Sequence, residues 1–331
     1  MVEVRAGIKR QVGAVVVLAL TSVFVAGCAR PVTCDGTVTA LHADPGPCLR
    51  FGVSTPGGST AVDEFLTVAR TVGKAPSVVL SFSDFATAPP IAGLDAVSAF
   101  GADPIVTWEP WRWIEGGTYD SSGFALQSIV DGVHDDYLYR WADELTAWGK
   151  PVYLRFAHEP NGTWYPWSVA AGTPADVYVA AWRHVHDLFA TRRAHNVKWV
   201  WSPNVSFPGS SSTGATYPGD DYVDVVGVDG YNWGTSQPWS HWIAPTDLFV
   251  PTMDELRRIA PGKPQLVTEV GSAEAGGSKS EWIRNLVRMI ESRRDVAGFV
   301  WFDHDKEADW SMASTPESAV ALAEALGTRY R

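Results

Sequence analysis

Between Arg155 and Trp167 the chain reads RFAHEPNGTWYPW. A guanidinium, an imidazole and a carboxylate (Arg155, His158, Glu159) stand beside three aromatic rings, Trp164, Tyr165 and Trp167. Comparable endings recur along the chain. One apolar run closes on Trp108 and Glu109, another on Asp229 and Tyr231, a third on Glu269, and the last carries Trp301, Asp303, His304 and Asp305. Two carboxylates facing each other across one mouth are what hydrolysis of a glycosidic bond requires. One protonates the leaving oxygen; the other attacks the anomeric carbon or activates a water. Glu159 and Glu269 are the candidates for that pair.

The elements that must position them follow from the pattern. Short apolar, β-rich runs lie at 49–55, 77–85, 104–111, 151–159, 198–204, 223–231, 264–272 and 298–305. Their near-continuous apolar character suits strands buried on both faces, as in a parallel sheet. Helical patterns lie between them. Thr173-Pro174-Ala175-Asp176 reads as a helix start, with Val177, Ala181, Trp182, Val185, Leu188 and Phe189 at helical spacing. Thr60 and Thr315 read as starts of the first and last helices. Trp141, Leu145 and Trp148 mark another, ended by Gly149, and Trp282, Leu286, Met289 and Ile290 a further one. After the fifth run, SFPGSSSTGATYPGDD reads as loop. Strand and helix alternating eight times from 49 to 331 predict an α/β fold, a (β/α)8 TIM barrel forming a single catalytic domain. Active sites of such barrels lie at the C-terminal strand ends, where Glu109, Glu159 and Glu269 fall. A doubly wound open sheet is the alternative, but no Gly-rich phosphate loop follows any run.

The N-terminus reads differently. Arg5, Lys9 and Arg10 precede an apolar run ending in Val25-Ala26-Gly27-Cys28, small residues before a cysteine, as at a signal cleavage site. Residues 1–27 are expected to be a signal peptide and 28–48 a tether. Outside the cytoplasm Cys34 and Cys48 are expected to pair as a structural disulfide. The formal net charge of −11 argues against nucleic acid, whose phosphates are bound by Lys and Arg. Sixteen tryptophans are far above ordinary usage, and many sit among Gly, Pro, Asn and Asp, as in TWEPWRWIEGG and YNWGTSQPWSHW. Flat rings on loops suit the apolar faces of sugars.

RFAHEPNGTWYPW, VGVDGYNWG, LVTEVGS and FVWFDHDKEADW together resemble glycoside hydrolase family 26, over essentially residues 49–331. Its best-known members are endo-β-1,4-mannanases; others cut mixed-linkage β-glucan or β-1,3-xylan. The resemblance implies double displacement with retention, Glu159 as general acid/base and Glu269 as nucleophile. It implies that His158 contacts the sugar at the cleavage site, that Tyr231 hydrogen-bonds Glu269 and that Trp164 stacks near the scissile bond. Trp301 would be the platform under the sugar at subsite −1, and Arg155 would orient the carboxylate or histidine of its own strand. Trp108 and Glu109 join these as substrate-side residues. A nearby anion and desolvation by Trp164 would raise the pKa of Glu159, as an acid catalyst needs. Val25-Ala26-Gly27-Cys28 resembles a bacterial lipobox, which implies a lipid on Cys28 and anchoring to the outer face of the cell membrane. The expected substrate is a β-linked polysaccharide, foremost β-1,4-mannan. β-glucan, β-xylan and the envelope's own exopolysaccharide are the alternatives, and a non-catalytic carbohydrate-binding lipoprotein is the rival from another class. Pro160 departs from the mannanases, which more often carry methionine after the His-Glu pair, and so bears on specificity.

Plainer readings stand beside these. A zinc helix built on His158-Glu159 would need a histidine where Gly162 stands. His158 can also be read as a satisfied core histidine, Glu269 as an ion-pair partner and Arg155 as structural. Glu109 fits either substrate hydroxyls or a pair with Arg112. The acids of DHDKEADW lack the glycine and bidentate Glu of a calcium loop, so no metal and no cofactor is expected. Nothing in the sequence demands an oligomer, and a monomer is expected.

Overall fold

A computed structural model describes residues 49–115 and 117–327. The expected signal peptide, the lipidated Cys28, the tether and the Cys34–Cys48 disulfide lie outside the described residues. Eight parallel strands close into a barrel: β1 (Arg50–Ser54), β2 (Val78–Asp84), β3 (Asp103–Glu109), β6 (Val152–Phe156), β7 (Val197–Trp201), β8 (Val225–Asn232), β9 (Gln265–Ser272) and β10 (Val296–Phe302). They neighbour one another in chain order, and β1 pairs with both β2 and β10 to close the ring. A small antiparallel hairpin, β4 (Arg112–Ile114) and β5 (Thr118–Asp120), follows β3; the sequence reading placed no strands there.

Helices follow the strands: α1 (Val62–Val72), α2 (Ile91–Phe100), the short α3 (Leu126–Val130) with α4 (Asp135–Trp148), α5 (Ala175–Thr191), α6 (Pro245–Ile259), α7 (Lys279–Glu291) and α8 (Pro316–Gly327). Between β7 and β8 only two short 3-10 turns stand, as the loop composition there predicts. The caps differ in detail. Thr315 caps α8 by accepting the Ser318 N–H, but Thr173 does not cap α5; its hydroxyl bonds the Pro166 carbonyl, and Pro174 takes the cap position. Likewise Ala61, one residue past Thr60, precedes α1. Gly149 ends α4 at φ 74°, a left-handed value that costs glycine nothing.

Two apolar layers hold the barrel. Alternate residues of the strands point outward and pack against the helices: Phe51, Val53, Val106, Trp108, Leu154, Phe156, Val267, Phe299 and Trp301 meet Phe65, Trp141, Trp182, Trp282 and Leu286. The others point inward, where Val78, Leu80, Ile105, Tyr153, Val200, Val225, Leu266, Ala297 and Val300 fill the lower barrel. Above this plug the inward positions turn polar. Thr107, Arg155, Ser202, Asp229 and Thr268 form a buried layer, and Glu109, Glu159 and Glu269 sit above it at the mouth.

Candidate active site

Arg155 is the hub of the polar layer. It projects from β6 with no exposure and meets two carboxylates: Nη1 donates to Glu269 Oε1 at 2.6 Å, and Nη2 donates to Asp229 Oδ2. Nη1 also reaches Thr107 Oγ1 at 2.9 Å. Arg155 therefore positions the carboxylate of β9 across the barrel, not the Glu159 or His158 of its own strand, which corrects the sequence expectation. Asp229 is held in turn by Thr268 Oγ1 at 2.7 Å and Ser202 Oγ at 3.1 Å. Gly227 lies beneath them. A Cβ there would come within 2.6 Å of both the Ser202 and Thr268 hydroxyl oxygens, so only glycine lets the network close.

Glu269 accepts a second strong donor, the Tyr231 hydroxyl, on Oε2 at 2.5 Å. Each of its oxygens is thus held by a strong donor. Tyr231 is steadied by Trp310 and by Phe302, with ring centroids 4.9 Å and 5.8 Å away.

Glu159 follows β6 on a sharp turn. Ala157 and Glu159 both adopt left-handed backbone, at φ 43° and 51°, a conformation non-glycine residues rarely hold without support. The support is visible. Glu159 N–H donates to Ser202 O at 2.7 Å, and the Trp167 indole N–H donates to His158 O at 2.7 Å. The carboxyl of Glu159 takes the Trp164 indole N–H on Oε2 at 2.6 Å and the Asn204 amide on Oε1 at 3.2 Å. Asn204 is locked to Asn161 by two reciprocal bonds, 2.8 and 2.9 Å. Burial, with the charges of Asp229 and Glu269, pushes the Glu159 carboxyl well above its ordinary value. One cation, Arg155, faces three carboxyls. Its direct partners are Asp229 and Glu269, and burial still pushes Asp229 up to about 7 against the Arg155 charge.

The three rings of the opening segment do separate work. Trp164 is 42% exposed, stacked on Phe207 at 5.5 Å, with its edge on Glu159. Tyr165 faces His158 Nε2 at 3.0 Å and stacks flat on Trp167 at 4.4 Å. Trp167 is buried as a strut. Burial, helped by the Arg155 charge, holds His158 well below the usual histidine value, so its ring is neutral. Its Nδ1 has no partner among the described residues.

Glu109 ends β3 and does not pair with Arg112. Its Oε2 accepts the indole N–H groups of both Trp111, at 3.1 Å, and Trp113, at 3.0 Å. Two other expected substrate contacts face away from the mouth. Trp108 stacks on Trp141 of α4 at 4.2 Å and gives its N–H to the Tyr137 hydroxyl. Trp301 packs edge-on against Trp282 of α7 and gives its N–H to Trp310 O. Both are fully buried between strand and helix, because strand alternation turns them outward. The inward neighbour of Trp301 is Phe302, edge-on to Phe82 and Tyr231. Asp303 holds its own loop by accepting Met312 N–H, and His304 stacks on Phe302.

Asn204, Ser202, Thr268 and Thr107 were not singled out in the sequence. Thr107 carried a usable signal, standing two residues before Glu109 on the same strand face. Among the described residues no group of three or more His, Cys, Asp or Glu could hold a metal ion.

A parallel eight-stranded barrel with buried carboxyls and aromatic rings at its C-terminal mouth defines the class of (β/α)8 glycoside hydrolases. The chain belongs to glycosyl hydrolase family 26, whose model matches residues 91–310. It is similar to Endoglucanase H of Acetivibrio thermocellus, 39% identical over 251 residues, 74% of this chain and 26% of that protein. It is also similar to Mannan endo-1,4-beta-mannosidase A and B of Caldalkalibacillus mannanilyticus, 31% identical over 199 residues, 56% of this chain and 34% of that one. The chain thus spans about a third or less of these relatives' own length. The solved catalytic domain of an endo-beta-1,4-mannanase from Bacillus sp. JAMB-750 shares the fold, with a TM-score of 0.67 over 88% of each chain at 21% identity.

Proposed function

We propose that this domain hydrolyses a β-linked polysaccharide with retention of configuration, Glu159 serving as general acid and then base, Glu269 as nucleophile. The observation that carries the reading is the unlike surroundings of the two carboxyls. Glu269 is clamped by a guanidinium and a phenol, as a charged nucleophile requires. Glu159 is buried beside anions, as a proton donor requires. In the first step Glu269 attacks the anomeric carbon while Glu159 gives its proton to the leaving oxygen. Esterification then removes the charge of Glu269, which eases deprotonation of Glu159. In the second step Glu159 accepts a proton from water as that water opens the ester, restoring both groups. The intact pair and its donors favour this over a non-catalytic carbohydrate-binding role.

For the substrate, β-glucan is the first reading and β-1,4-mannan the second. The endoglucanase relative aligns over 74% of the chain at 39% identity, against 56% at 31% for the mannosidase. Pro160, where mannanases more often carry methionine, supports the same order. Incubation with mixed-linkage β-glucan, cellulose, β-mannan and β-xylan, counting reducing ends beside a Glu269→Ala control, tests both the reaction and the order. Binding to a polymer without release by the unsubstituted protein would favour the non-catalytic role.

The lipobox-like Val25-Ala26-Gly27-Cys28 supports export and tethering of the chain at the outer face of the membrane. Metabolic labelling with a radioactive fatty acid, lost in Cys28→Ala, tests it.

A further inference from the structure

We propose that Glu109 and Trp113 together hold one sugar ring of the polysaccharide beside the catalytic pair, Glu109 through a hydrogen bond from Oε1 to a sugar hydroxyl and Trp113 through its ring face. The inference rests on the hydrolase reading above and adds a subsite that the catalytic mechanism itself does not use.

The geometry assembles it from two elements. Glu109 is the last residue of β3 and faces inward at the mouth, two positions beyond Thr107, which contacts Arg155. The chain then turns directly into the β4–β5 hairpin. Trp111 and Trp113 reach back from it and both donate to Oε2 of Glu109. No hydrogen bond reaches Oε1 among the described residues, and Oε1 is not one of the sealed-off polar atoms. One oxygen is thus saturated and the other is left for a ligand. The ring of Trp113 is pinned by its N–H edge to Glu109 and is 49% exposed. The backbone N–H of Trp113 is held by Asp84 Oδ2 at 2.9 Å. Across the hairpin Trp113 pairs with Tyr119, and Tyr119 stacks on Trp111 at 4.0 Å, so the platform is braced from behind. A large aromatic face fixed at its edge, adjoining a polar group with a spare oxygen, is the arrangement that binds a sugar: an apolar ring face with hydroxyls at the rim.

The charges around Glu109 decide how it bonds. Burial pushes its carboxyl up to about 8, opposed by the two indole donors. Glu269 on β9 adds to the push, and Lys306, in the loop after β10, opposes it. Asp84 of β2 lies alongside in register, and the Tyr165 hydroxyl also faces this region. At neutral pH Glu109 is therefore a carboxylic acid. Oε2 already accepts two N–H groups, so the proton sits on Oε1 and is donated to the sugar.

Four variants test the subsite on the polymer the unsubstituted protein cuts best. Glu109→Gln keeps an acceptor for the indoles and a donor in place of the acid O–H, so kcat/KM should stay within about threefold of the original. Glu109→Ala should lower kcat/KM about 30-fold, chiefly through KM. Trp113→Ala should lose about tenfold and Trp113→Phe, which keeps a ring face, much less. As pH rises past about 8, Glu109→Gln should also lose one of the two deprotonations that shut the enzyme down, keeping the one belonging to Glu159. A purely structural Glu109 would leave that profile unmoved. Trp113 is half-exposed, so its variants report even if Glu109→Ala folds poorly. Unchanged kinetics in Trp113→Ala and Glu109→Ala would overturn the subsite, as would Glu109→Gln being as damaged as Glu109→Ala. Absence of turnover in the unsubstituted protein on every polymer would instead count against the hydrolase reading.

Discussion

Thr268 and Glu269 are consecutive residues of β9, yet both side chains enter the same buried network, Thr268 bonding Asp229 and Glu269 bonding Arg155. Strict alternation would send one of them outward. A bulge prevents it. The β8–β9 pairing runs from Val228 opposite Val267 to Asp229 opposite Glu269, so one residue of β9 is extra, and the β9–β10 register shifts at the same place. Replacing Glu269 should therefore remove turnover while leaving the fold, because Thr268 and the bulge remain. With Glu269→Ala and added azide, an activated β-glycoside should yield the α-glycosyl azide, read by NMR. A β-azide would reverse the assignment of the two carboxyls.

In the proposed reaction Glu159 needs its proton to act. Because burial and neighbouring anions raise its pKa, activity should hold through neutral pH and fall as pH rises through the folded value. Glu159→Gln should lower kcat by roughly 10²–10⁴-fold on substrates with poor leaving groups and much less on activated ones. The Trp164 N–H opposes the upward shift, so Trp164→Phe should move the basic limb of the kcat/KM profile to higher pH. Gly162→Ala should disturb the same bond, since a Cβ there would lie 2.7 Å from the Trp164 ring.

Arg155 is fully buried with two carboxylates. Removing it in Arg155→Met leaves both uncompensated and should cost about 3–5 kcal/mol in denaturant-induced unfolding. Arg155→Lys keeps the charge but cannot span both partners as the planar fork does, so turnover should fall further than stability.

Trp108 and Trp301 should behave as core. Trp301→Ala should destabilise the domain by about 3–5 kcal/mol. In Trp301→Phe, which keeps most of the packing, KM should be unchanged. A raised KM with unchanged unfolding would return Trp301 to the sugar.

Glu109 links pH to stability. Its folded value of about 8 lies above the ordinary glutamate value of 4.5. Between the two, the folded form holds a proton the unfolded form has lost, so this contribution is fully present below 4.5 and declines as pH rises through 8. Glu109→Gln should thus gain melting temperature relative to the unsubstituted protein at pH 9 compared with pH 5. A constant difference across that range would contradict the neutral-acid state.

The sequence by itself determined the barrel and the identity of the carboxyls at its mouth. Buried parallel strands are apolar on both faces, and strand-end Glu109, Glu159 and Glu269 stand out against that background; both signals are local. The missing helix before β8 was legible for the same reason. Which side of the strand each tryptophan takes was decided by tertiary structure alone. Trp108 and Trp301 read as mouth residues because they adjoin polar strand ends, but one step along a strand reverses the face. The partners of Arg155 were also tertiary: Asp229 and Glu269 lie on β8 and β9, and only barrel closure with the bulge at Thr268 brings them to its guanidinium. Asn204, in the loop after β7, reaches Glu159, in the loop after β6, and is locked there by Asn161. No spacing in the sequence encodes that contact, because it depends on where two loops cross in space.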